Sequence, residues 1–330
     1  MIIRAWKLTH RYVSFIYRRY GFLQWAFLPL SVLAGVVWWM ELMCKNEDQQ
    51  WLRSSFPLWI ESGTIYGHFT EHSFLRLITS AKLAQGINFV LIVASFALIF
   101  VASAMVWNKS SSTRRIMLFI VAALIAGVGI SSVLSTRTCF HEWYFIFWFS
   151  PIDTMFQNEI GLVILAVVSN TAMGLLVVAA ATFHQDRSFV TDKKERLDLL
   201  SAELTDIRKL LYFASAQLTV DTYAIYSALY INVAAVNEQN RELLLDLVLN
   251  LTLIFSGAYS LVLFAAFYPS FSRLKLRAYK LARELAPDLT PKEFFTRSGF
   301  ELTTLADLKD FLTILGPILA STSASILHTL

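Results

Sequence analysis

LLYFASAQLTVDTYAIYSALYINVAAV (residues 210–236), NEQNRE (237–242) and LLLDLVLNLTLIFSGAYSLVLFAAF (243–267) are two long apolar blocks around a short polar turn. A turn this short leaves room only for a tight antiparallel helical hairpin. Each block exceeds the roughly 20 residues of helix that cross a bilayer core. The first is nonetheless polar at its centre, with Gln217, Thr219, Asp221 and Thr222. The reading of that centre decides whether the hairpin crosses a membrane or stands beside it as a cytoplasmic helical domain.

Four further apolar blocks precede the hairpin, at 22–43, 87–107, 116–134 and 160–183. The chain of 330 residues is 56% apolar and 16% charged, whereas soluble domains carry about 25% charged residues. The expected fold is therefore all-α, a polytopic helical membrane protein. The six-span reading counts every block, and the four-span reading leaves out the hairpin. The apolar stretch after the first twenty residues is too long for a cleavable signal core, so the first block reads as a retained anchor.

Positive charge gives the orientation. With the N-terminus inside, segments 1–20, 108–115, 184–209 and 272–330 hold 22 of the 28 Lys and Arg residues. That asymmetry predicts both termini in the cytoplasm of a bacterial-type inner membrane. It is blind to the hairpin, because two crossings or none leave the tail on the same side. The net charge of +4 follows from this topology, and no aromatic-interleaved basic face points to nucleic acid.

The blocks set the expected organisation. Residues 1–20 read as a basic amphipathic segment on the inner leaflet. Residues 21–183 form a four-helix membrane region with outer loops at 44–83 and 136–158. The second half of the first loop (65–83) has helical spacing, and the aromatic run 141–151 suits the membrane interface. Residues 184–286 form the long hairpin with cytoplasmic extensions. In 192–207 the acids Asp192, Glu195, Asp198, Glu203 and Asp206 accompany a leucine stripe. In 272–285 the bases are Arg273, Lys275, Arg277, Lys280 and Arg283. Antiparallel pairing as a coiled extension sets acid against base, and Pro269 is a candidate kink. In the tail, 287–330, Thr290-Pro291 starts one helix, a second runs from Thr304 to Leu315, and Gly316-Pro317 stops it. The apolar end, PILASTSASIL, is too short to span.

Among single residues Asp221 is the sharpest. A carboxyl in mid-span is costly unless paired, protonated or hydrated. Antiparallel pairing about the short turn sets it level with Ser256, Tyr259 and Ser260. Asp246 and Asn250 lie a turn apart on the second block, with Asn232 expected near them, completing a polar stripe. The stripe reads either as a water-lined ion path or as hydrogen bonding between helices.

His68, Glu71 and His72 match the H-x-x-E-H pattern, which puts both histidines on one helix face. The pattern lacks a third ligand, and no catalytic site, cofactor or resident metal is expected. Cys44 and Cys139 both fall outside, a candidate disulfide in an oxidising compartment. Nucleotide loops, nucleophile elbows, voltage-sensor ladders and channel filters are absent from the sequence.

The expected function is non-enzymatic: a membrane protein assembling with its own copies into a pore or gated, partner-responsive complex. The alternative is a membrane anchor or scaffold that holds a cytoplasmic partner through 192–207, 272–285 and 287–330. An outer-facing metalloenzyme at His68, Glu71 and His72 is the third reading.

Overall fold

The computed structural model describes residues 71–139, 159–183, 193–235, 238–298 and 304–329. Every element in these segments is an α-helix: α1 (Glu71–Lys109), α2 (Ser112–Cys139), α3 (Glu159–Thr182), α4 (Lys193–Ala235), α5 (Glu238–Leu285), α6 (Pro291–Ser298), α7 (Thr304–Ile314) and α8 (Gly316–Thr329). The first anchor block lies outside the described residues.

Among the described residues three helices have stretches long and apolar enough to cross a membrane: Lys82–Lys109, Ile164–Thr182 and Leu245–Leu285. Helix α4 is absent from that set because its hydropathy is interrupted by the polar centre around Asp221. At about 1.5 Å per residue, α4 and α5 are roughly 65 and 72 Å long. That is about twice the ~30 Å hydrocarbon core, so neither is accounted for by one crossing alone.

Contacts fix how the helices run. Lys109 at the end of α1 bonds Asp206 of α4 at 2.9 Å, and Ser95 lies 3.4 Å from Gln217. Moving back along α1 is moving forward along α4, so the two are antiparallel. Helices α4 and α5 are also antiparallel, since Tyr230 accepts from Arg241 at 3.4 Å and Glu203 faces Arg277 at 3.9 Å. Helix α3 runs parallel to α1: Ser169 meets Gln217 at 3.1 Å, and the Phe183 ring lies 4.5 Å under the Lys109 ammonium.

Small residues and shared hydrogen bonds bring these rods together. At Gly174 of α3 an added Cβ would collide with the Ala122 carbonyl oxygen of α2. Only glycine allows that approach. Ser270 of α5 donates to the Ala180 carbonyl at 3.0 Å, which also accepts the Phe183 N–H at 3.3 Å, and so ties α5 to the end of α3. The core below this joint is Phe183, Ile207, Leu210, Leu211, Phe267 and Leu274.

The outer surfaces differ sharply. Helix α1 turns Phe89, Val93, Phe96, Phe100 and Trp107 outward, with Phe100 74% exposed, and α2 does the same with Ile116, Ile120 and Leu124. So continuous an apolar surface marks contact with lipid or protein. Among its described side chains, helix α4 has only Phe213 as an exposed large apolar one. It is the encased helix of the bundle, lined by α1, α3, α5, α7 and α8.

Two expectations about the tail meet the structure differently. Helix α6 begins at Pro291, where Thr290 and Glu293 bond reciprocally as a capping box. Gly316-Pro317, read as a stop, is a joint instead: α8 restarts there, with Leu315 bonded back to Phe311 and Leu319 back to Leu315.

Candidate functional site

Helix α4 carries polar residues on two faces, and each face meets different partners. On one, Gln217 is fully buried, and its Nε2 donates to Ser95 of α1 and Ser169 of α3. Its Oε1 is buried without a hydrogen-bond partner. Asp221, one turn further on the same side, is half-buried and faces α5, where the Tyr259 hydroxyl hydrogen-bonds to its carboxyl group. Thr222 and Ser227 bond back to the Leu218 and Ala224 carbonyls of their own helix, so they need nothing from a neighbour.

The other face receives the tail. Proline has no N–H, so Pro317 cannot complete the helical bond to the Thr313 carbonyl. Ser215 of α4 donates to that carbonyl instead, at 2.6 Å. The contact is possible because residue 316 is glycine: a Cβ there would lie 2.6 Å from Ser215 Oγ and 3.3 Å from Thr219 Oγ1. Beyond the joint α8 runs beside α4 and α5. Tyr223 and Ser323 share a hydrogen bond at 2.6 Å, and Ser256 donates to Ser321 at 3.0 Å. Short hydroxyl side chains let these helices approach closely and still pair their polar atoms.

A buried ion pair locks the near end of the tail. Arg208 Nε bonds Asp310 Oδ2 at 3.0 Å, with both side chains about nine-tenths buried. The Tyr212 hydroxyl donates to the other carboxylate oxygen at 3.3 Å, and Lys309 lies 5.1 Å over the Tyr212 ring. Both Asp310 oxygens therefore have donors, which a buried carboxylate requires.

The structure brings together some of the residues singled out in the sequence and separates others. Asp221 and Tyr259 meet. Ser256 lies in the same hairpin groove but pairs with the tail. Asp246 and Asn250 are exposed on the outward face of α5. Asn250 is two and a half turns from Tyr259, hence on the opposite side, and it does not extend the stripe. Asn232 is within α4, Glu71 and His72 open α1, and Cys139 closes α2; the side chains of all four, together with His68 and Cys44, lie outside the described residues. Among the described residues no group of three or more His, Cys, Asp or Glu is placed to hold a metal.

Gln217, Ser95, Ser169 and the Arg208–Asp310 pair were not marked in the sequence as a site. The spacing of Gln217 and Asp221, four apart, was the one available signal. Among the described residues this geometry defines an all-helical protein with three helices long and apolar enough to span a membrane. Comparison with protein families, curated proteins and solved structures finds no match.

Proposed function

We propose that this chain is a six-span, non-enzymatic membrane protein that forms a gated pathway, with its C-terminal helix as the gate. One observation carries the reading: α8 occupies the polar groove of the α4–α5 hairpin through Tyr223 and Ser256, while Ser215 holds the α7–α8 joint at the Thr313 carbonyl. A groove lined by hydroxyls at membrane depth is expensive to leave open to lipid. A helix of the same chain fills it, and hydroxyl pairs of this kind average only about 0.6 kcal/mol each in membranes. The closure is therefore reversible.

The register of α4 on α1 supports the six-span reading. If the Lys82–Lys109 stretch crosses the bilayer, the part of α4 between Asp206 and the hairpin turn lies at the same depth. Asp221 then sits about 16 Å from the level of Leu210, near the bilayer middle. Its polarity does not exclude a crossing, because α4 is lined by helices rather than lipid. Helix α8 enters from the side of Lys109 and Arg208, which the charge asymmetry assigns to the cytoplasm.

Planar-bilayer recordings of the purified full-length protein test this. Gly316→Val drives a side chain into Ser215 and should raise open probability at least about tenfold, which needs only about 1.4 kcal/mol. Silence from wild type and variant alike, with both folded, rejects a pathway.

A further inference from the structure

We propose that the chain binds one small cation, a proton or a sodium ion, at Asp221, in a site completed by Gln217 and Tyr259 between α1, α3, α4 and α5. The claim does not require conduction and so goes beyond the gated-pathway reading.

Three observations converge. The first is the buried amide of Gln217, whose nitrogen end is held by serines of two helices and whose Oε1 has no donor. A buried acceptor without a protein donor has room for a guest that supplies one, a water, a proton or a cation, and the carboxyl beside it favours the charged guests. The second is its neighbour. Residues four apart on a helix stand about 5–6 Å apart at Cβ, so the Asp221 carboxyl and Gln217 Oε1 are within reach of one bound ion or one shared proton.

The third is the lack of a countercharge among the described side chains. No Lys, Arg or His occurs in α1 between Lys82 and Lys109, in α3, in α4 after Lys209, or in α5 between Arg241 and Arg273; α8, which also packs on α4 and α5, carries His328, whose side chain lies outside the described residues. Of the titratable groups on these elements, Tyr259 of α5 faces Asp221. Glu159 opens α3 and Asp246 is on the outward face of α5, so neither faces it. A phenol donates a hydrogen bond but does not neutralise a carboxylate. With no countercharge among the described side chains, the charge is met by a mobile cation, and the half-buried carboxyl is accessible to one. Ser95 and Ser169, already gathered around Gln217, add hydroxyl oxygens beside the site. Proton and sodium use the same oxygens and compete for them.

The test is thermal unfolding of the full-length protein in detergent. Sodium replaces choline from about 1 to about 100 mM at constant ionic strength, at about pH 6 and about pH 8. A bound cation raises the melting temperature by about 3 °C or more. A rise with sodium that is larger at the higher pH assigns a sodium ion. Indifference to sodium, with stability lost as pH rises, assigns the proton. Either response should vanish in Asp221→Asn, which removes the charge and keeps the shape. If that variant does not fold, Tyr259→Phe serves in its place and should shift the midpoint without abolishing it. Radioactive sodium retained at one per chain gives an independent reading of the sodium case. Wild type indifferent to both sodium and pH, or Asp221→Asn responding as wild type does, overturns the proposal. No current is measured, so failure here and failure of the gated pathway are distinct.

Discussion

Arg208 and Asp310 make the tail's attachment depend on a charge balance inside the protein. Removing one partner of a buried pair strands the other, at about 3–5 kcal/mol, whereas removing both costs less than the sum. Arg208→Ala and Asp310→Ala should each destabilise strongly, and the double variant should recover at least about 1 kcal/mol in denaturant melts. Strict additivity would mean that the two side chains do not interact. At this scale the sequence was partly legible. An antiparallel pairing about the short turn predicts the level of Asp221 and Tyr259, because the register there is set locally. Gln217 was not legible as a node, since its partners lie 48 and 122 residues away. Neither was Asp310, an ordinary acid on an amphipathic helix until the fold sets it against Arg208. Asp246 and Asn250 were legible as polar, but the choice of face belongs to packing, and they look outward.

Helix α4 shows where composition misleads at the scale of elements. Hydropathy measures fitness for lipid, whereas α4 is lined by other helices. Its polar centre is tolerated because α1, α3, α5 and α8 supply partners. The apolar stretches of α1, α3 and α5 were legible because part of each faces outward. The Gly316-Pro317 joint reads as a terminator by local rules, since glycine and proline end helices. It continues because Ser215, about a hundred residues earlier, takes the freed Thr313 carbonyl. The joint sets the phase of α8, so inserting one alanine after Leu315 should rotate α8 by about 100°. Ser321 and Ser323 then miss Ser256 and Tyr223. Limited proteolysis should cut the inserted chain near residue 316 at least about tenfold faster than wild type. Equal rates would show that α8 is held by something other than this register.

At the scale of the whole molecule, the proposed pathway requires the α4–α5 hairpin to cross the membrane alongside α1. Charge asymmetry could not decide it, because an even number of crossings leaves every other segment in place. The helix contacts decide only the relative depth of α4 and α1. A direct measurement compares two exposed positions at opposite ends of α5, Glu242 and Lys280. Each is replaced by cysteine in the full chain, with Cys44 and Cys139 changed to serine, and intact cells are treated with a membrane-impermeant thiol reagent. The account predicts that Glu242→Cys is labelled from outside and Lys280→Cys only after permeabilisation. Labelling of both positions from the same side would contradict it.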